Sequence, residues 1–190
     1  MKLQKSISKS RYENIENGIK AFATPGSDYY VNPETDEVIA NAPFFYQDIS
    51  GDFMLRSRVS LDFKSTFDAC VLLALEDDRH WAKACFEMSD MGSFQIVSVM
   101  TNGRSDDANC VSITQNEVWL QLARKENVFS VHYSLDGKNY LMARITHIPM
   151  KRTIKVGFEA QSPFGNGGER YFRDIEWKQT TLHDIRGGNQ

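Results

Sequence analysis

Residues 67–88 read FDACVLLALEDDRHWAKACFEM, and their pattern decides the fold class. Alternate positions of the first nine form two sets: Phe67, Ala69, Val71, Leu73 and Leu75 against Asp68, Cys70, Leu72 and Ala74. Both sets are apolar apart from Asp68, which predicts a strand covered on both faces. Glu76-Asp77-Asp78-Arg79 is a charged turn, and beyond it Trp81, Lys83, Cys85 and Glu87 alternate with Ala82, Ala84, Phe86 and Met88. Residues two apart in a strand share a side. An indole, an ammonium and a carboxylate therefore fall on one face.

The same period continues outward. Phe53, Leu55, Ser57, Val59 and Leu61 alternate with Met54, Arg56, Arg58 and Ser60, and Val118–Arg124 alternates in turn. Val128–Ser134 pairs with the latter across Lys125-Glu126-Asn127, and the Asp136-Gly137 turn leads into Tyr140–Ile145. Shorter candidates are Ile19–Ala23, Asp28–Val31, Phe44–Tyr46, Phe94–Val99, Val111–Thr114, Ile154–Ala160 and Tyr171–Trp177. Asn102-Gly103 with Ser105–Asn109 reads as one long hydrophilic turn. Many short strands punctuated by turns, with no helical segment of core length, predict an all-β antiparallel β-sandwich. The expected layout is an N-terminal extension at 1–18, a sandwich at 19–180 and a flexible tail at 181–190. Within the extension, apolar residues about four apart would allow a short amphipathic helix, marginal without packing, so a loosely docked leader is expected.

Composition narrows the function. A formal charge of −3 over 190 residues gives no basic excess for nucleic acid. No stretch approaches the ~18 apolar residues of a membrane span, and the basic start lacks an apolar signal core, so a cytoplasmic location and no membrane partner are expected. Three cysteines without a C-x-x-C, and four scattered histidines, offer no zinc pattern. No metal or other cofactor is expected. Cys70 and Cys85 read as small hydrophobes inside strands. Asp106, Asp107 and Asn109 are oxygen donors of the kind calcium takes, but they read as a solvated acidic turn.

A family resemblance rests on an ordered series of motifs. These are Ser50-Gly51-Asp52-Phe53, Phe67-Asp68, Asp77-Asp78-Arg79-His80-Trp81-Ala82-Lys83-Ala84, Val118-Trp119-Leu120, Tyr133-Ser134-Leu135-Asp136-Gly137 and Gly157 followed by Ser162-Pro163. From about Asp28 to Trp177 the chain resembles domain of unknown function 1349, the regulation-of-enolase-like family of the concanavalin A-like lectin/glucanase superfamily. A related pattern occurs in sandwich modules appended to some β-xylosidases. The resemblance implies a jelly roll of two curved sheets packed face to face, in which the concave face is where the superfamily binds sugars or cuts glycosidic bonds. It implies no activity, because the family has none assigned, and a fold does not carry one.

Catalysis by a glycosidase needs two carboxyls at a set separation. The superfamily's glucanases place them on one strand as E-x-D-x-x-E or E-x-D-x-E, so that residues two apart share a face, and Glu87-Met88-Ser89-Asp90 has no acid two residues after Glu87. Glu34-Thr35-Asp36 has that spacing but lies in a Pro-flanked turn. No catalytic residue is assigned; a cross-strand pair, Asp68 with Glu87, is the enzymatic candidate. For binding, Asp68, Lys83 and Glu87 are charges inside apolar strands, where burial is costly without a partner. With Trp81 to stack on a ring, they form the expected centre of a ligand site. His80, Trp119, Arg124 and Tyr133 are the expected periphery, though turn, core-packing and strand-end roles would also account for them. The loop Ser162–Glu169 could gate such a site. The expected function is binding of a carbohydrate, sugar metabolite or similar polar small molecule on the concave sheet. The alternatives are a glycan-active hydrolase and a protein-interaction module with a protein partner.

Overall fold

The computed structural model describes residues 1–188. Its strands, numbered β1 to β16 in chain order, make two seven-stranded antiparallel sheets and a two-stranded ribbon. The first sheet runs β1 (Gln4–Lys5), β6 (Phe44–Ser50), β15 (Thr153–Gln161), β8 (Ala69–Asp77), β9 (His80–Met88), β10 (Phe94–Asn102), β11 (Arg104–Ile113). The second runs β14 (Leu141–His147), β13 (Val128–Ser134), β12 (Glu117–Lys125), β7 (Phe53–Leu61), β16 (Gly168–Lys178), β3 (Gly18–Ala23), β2 (Tyr12–Ile15). The ribbon joins β4 (Tyr29–Val31) to β5 (Val38–Ala40). This is a concanavalin A-like jelly-roll sandwich.

Alternation decides which residues meet. Cys70, Leu72 and Ala74 of β8 and Ala82, Ala84 and Phe86 of β9 point between the sheets, against Leu55 and Val59 of β7 and Leu120 and Leu122 of β12. The other set, Val71, Leu73, Leu75, Trp81, Cys85, Val97 and Val99, forms a second core on the outer face of the first sheet. There Tyr29 and Val31 of the ribbon cover it, with Phe44 alongside. The two-sided apolarity of β8 has this cause: one face meets the second sheet and the other meets the ribbon. Both strands of the central hairpin keep their expected faces. Cys70 and Cys85 are buried and unpaired, and burial pushes the Cys70 thiol up to about 12, so it is inert at neutral pH.

Three expectations are corrected. The hydrophilic stretch 105–109 is strand rather than turn and runs on into the expected strand at Val111: Gly103, at φ 82°, makes a tight hairpin, and β11 pairs with β10 from Arg104 to Ile113. It is polar because it is an edge, where charge guards against pairing with another chain. The segment 1–18 forms neither a helix nor a loose leader. β1 pairs with β6 and β2 with β3, so it supplies one edge of each sheet. Its Tyr12 ring meets Phe45 edge-on at 5.1 Å. The tail expected to be flexible docks on the outer face of the second sheet through residue 188. Leu182 is buried with Met54 and Ala123, and the Gly188 carbonyl accepts from Arg56 Nη2 and Gln121 Nε2, each at 3.1 Å. Residues 189–190 of that expected tail lie outside the described residues.

Close approach of β15 and β6 depends on one glycine. A Cβ on Gly157 would lie 2.1 Å from the Phe45 carbonyl oxygen and 2.8 Å from the Tyr46 Cα, both backbone atoms that cannot swing aside. Gly157→Ala is therefore expected to destabilise by about 1–3 kcal/mol or more, the usual range for overpacking. Urea unfolding of the two proteins measures it.

Candidate ligand-binding cleft

The ribbon covers only part of the outer face of the first sheet. Beside it lies a cleft of about 290 Å³, floored by Lys83, Glu87 and Val99 and flanked by Asp107 of β11 and Gln161 of β15. Asp28, Tyr30 and Ile39 contribute from the ribbon side, and Phe67, Pro163 and Phe164 form the opposite rim. Phe164 is 76% exposed and leans on Phe67 at 5.5 Å between ring centres. Phe67 adopts φ 66°, left-handed backbone that a bulky side chain seldom takes and that costs of order 1–3 kcal/mol.

Lys83 is the anchor of this floor. Its ammonium is buried and donates to Asp28 Oδ1 at 3.0 Å, the Tyr29 carbonyl at 3.0 Å and Gln161 Oε1 at 2.7 Å. Glu159 Oε2 lies 3.7 Å away. Burial works against the charge, but the Asp28 and Glu159 carboxylates outweigh it and hold the ammonium protonated. Gln161 in turn donates from Nε2 to the Phe67 carbonyl at 2.9 Å, tying the floor to the rim.

The acids respond differently. Glu87 is only 5% exposed and opens on the cleft, and its carboxyl has no hydrogen-bond partner among the described residues. Burial drives its carboxyl well above the ordinary 4.5, opposed only by the Lys83 charge. Burial likewise raises Glu159, to about 7, against the pull of Lys83. Asp107 is raised too, again by burial first. Among the described residues, no three His, Cys, Asp or Glu side chains are grouped to hold a metal ion.

Of the residues expected at the site, Lys83 and Glu87 line the cleft. Trp81 shares their face but is 0% exposed, sealed under Tyr29 with rings 5.8 Å apart, and its indole N–H finds no acceptor among the described residues. It offers a ligand no stacking surface. Asp68 is corrected more sharply. It precedes Ala69, which pairs with Glu87, so alternation turns it to the opposite side of the sheet, and a carboxylate pair with Glu87 is not formed. Instead it holds Arg170 Nη2 at 3.0 Å and accepts from Ser162 Oγ at 2.6 Å, both buried, which fixes the root of the Pro163–Phe164 rim. His80 sits at the far end of β9, its Nδ1 2.8 Å from Asp77 Oδ1. Trp119 lies on the outer face of the second sheet, with Arg58 over its ring at 5.8 Å. Arg124 closes the end of the sandwich, donating to the Met150 carbonyl at 3.0 Å, and Tyr133 packs against the core between the sheets.

Asp28, Tyr30, Asp107 and Gln161 were not expected here. Asp107 was hidden by reading its strand as a turn. The others come from segments whose fold over β9 leaves no periodic mark, although the loop at Ser162–Glu169 was an expected gate and does supply the rim.

Comparison with known proteins places this geometry. Residues 7–180 match the family described as "Protein of unknown function (DUF1349)". The chain belongs to that family. It is 31% identical over 139 residues to "Regulation of enolase protein 1" of Saccharomyces cerevisiae, across 70% of this chain and 69% of that one. A crystal structure of a functionally unknown S. cerevisiae protein superposes with a TM-score of 0.85 at 22% identity, covering 93% of this chain and 96% of the other. The fold is also similar to part of the GH43 protein BlXynB of Bacillus licheniformis, with a TM-score of 0.70 at 14% identity. That match covers 89% of this chain but 34% of the enzyme. The carbohydrate-binding module CBM66 of Bacillus subtilis gives a TM-score of 0.55 at 9% identity, over 92% and 95% of the two chains. The family is thus one of unknown function whose sandwich resembles those found in glycoside hydrolases and in a carbohydrate-binding module.

Two outcomes follow from the buried charges. Asp68→Ala leaves the Arg170 guanidinium buried without its carboxylate, and a loss of about 3–5 kcal/mol is expected by denaturant unfolding. Glu159 binds its proton more tightly folded than unfolded. Its contribution to stability is therefore fully present below 4.5 and lost as pH rises through about 7. The melting temperature should fall across that window, and Glu159→Gln should flatten the fall.

Proposed function

We propose that the chain binds a carbohydrate or a closely related polar small molecule in the cleft on the outer face of the first sheet. The observation that carries this reading is Glu87: a residue only 5% exposed whose carboxyl has no hydrogen-bond partner among the described residues and opens on a cleft. A buried polar group left unpaired is costly unless something else pairs it. A hydroxylated ligand would supply that partner. The exposed ring of Phe164, backed by Phe67, supplies the flat apolar surface against which a sugar ring packs, the role expected of Trp81. The cleft is near the small end of ligand pockets, ~300 Å³, and has their usual composition of mostly apolar walls with a few convergent polar groups. Asp68 belongs to this reading as a positioning residue, since it holds Ser162 and through it the rim. The structural likeness to a carbohydrate-binding module supports the same direction at the level of fold.

The test is a thermal-shift screen of the full chain against neutral and amine-bearing oligosaccharides. A ligand at 100 times its Kd should stabilise by about 2.7 kcal/mol, a rise of about 5–10 °C for a domain this size. Phe164→Ala should weaken the response by about twofold to tenfold, the worth of one aromatic contact. Trp119→Ala, on the other side of the molecule, should leave it unchanged. A saccharide response abolished by the Trp119 change and untouched by the Phe164 change would refute the placement of the site.

A further inference from the structure

The cleft is unusual in what it lacks. Lys83 is the only cation lining it among the described residues, and its three ammonium hydrogens already point to Asp28, the Tyr29 carbonyl and Gln161. Gln161 has one amide hydrogen engaged by the Phe67 carbonyl and its oxygen engaged by Lys83. What remains toward the ligand is mostly acceptor: the Glu87 and Asp107 carboxyls, with Asp28 beside them. Such a wall repels phosphates and uronates and selects groups that donate.

We propose that the sugar taken by this cleft carries a free protonated amine, so that the site is built for an amino sugar, with Glu87 and Asp107 receiving the ammonium. The inference rests on the carbohydrate-binding reading and narrows it. Neutral hydroxyls would also donate to Glu87, but they would not supply the positive charge that favours its ionised form among the neighbouring carboxyls. The carboxyls of Asp28, Glu87, Asp107 and Glu159 crowd around one lysine, where burial and one another's charge disfavour the ionised forms of Glu87 and Glu159, and a second cation in the cleft would favour them. No metal-holding group of side chains is present among the described residues to fill that role. The rim adds a second preference in the same direction. Phe67, Phe164 and Tyr30 line the same cleft as the acids, and an ammonium is attracted to aromatic rings.

Proton linkage gives the proposal a signature that a merely structural Glu87 would not show. Glu87 faces Lys83, Asp107, Asp28 and Glu159, with the Cys85 thiol beside it on β9, and burial favours its protonated form in the empty cleft. An ammonium binding there takes the place of that proton. Affinity should then rise with pH until the amine itself deprotonates.

The experiment is titration calorimetry of the full chain with four matched disaccharides: the β-1,4 glucosamine dimer, its N-acetylated form, cellobiose and a glucuronate-containing dimer. The expected result is binding of the free amine at least about tenfold tighter than its acetylated form. That preference should strengthen from about pH 5 to about pH 7. Glu87→Gln should remove both the preference and the pH slope. Asp107→Asn, on an exposed edge strand where folding is not at stake, should reduce the preference on its own. Equal binding of the acetylated or neutral dimers overturns the amine assignment and leaves the carbohydrate reading standing. Tighter binding of the glucuronate dimer does the same. If none of the four binds while both variants fold, the assignment and the carbohydrate reading fall together.

Discussion

The ammonium of Lys83 lies beneath the ribbon, and its three hydrogen bonds reach two separate stretches of chain: the Asp28–Tyr29 segment leading into the ribbon, and Gln161 at the end of β15. Taking a charge out of water is unfavourable by several kcal/mol unless it is fully bonded. The arrangement is therefore all or nothing. If the ribbon lifts, Lys83 loses two of its partners at once, and the outer core of Val71, Leu73 and Trp81 is bared with it. The third layer of the fold and the floor of the cleft are held by the same contact.

A second buried charge acts on the other side of the sheet. Arg170 donates from Nε to the Ala69 carbonyl and from Nη2 to the Gln161 carbonyl, while Asp68 neutralises it and grips Ser162. Lys83 and Arg170 thus meet the same short stretch, Gln161–Ser162, from opposite faces. Preorganisation of this kind lowers the ordering cost of binding. The rim residues Pro163 and Phe164 project from a base that is fixed on both sides.

The fold was legible because strands write their period into sequence. β7 occupies the alternating run Phe53–Leu61 that was expected, and the β8–β9 hairpin shows the expected division of faces. At β11 the polarity of an edge strand is indistinguishable in sequence from that of a turn. The chain ends carry no signal of their order, since an edge strand of two residues or a docked Leu182 has no period. The site was half legible. Lys83 and Glu87 stood out as charges inside an apolar strand. Trp81 shared their face, yet sequence cannot say that a ribbon fifty residues earlier would fold over it. Asp68 was one position out of phase with Glu87, and the pleat alone separated the two.

Phe67 adds a history to this arrangement. Its backbone sits in a conformation that glycine or asparagine would hold more comfortably, yet its ring walls the cleft and backs Phe164. A population of variants selected in the laboratory only for resistance to heat would be drawn to replace it, and would lose the wall of the cleft while the sandwich itself improved. The residue therefore separates two pressures on the molecule, durability and recognition, and its retention in a lineage would record that recognition was the one being enforced.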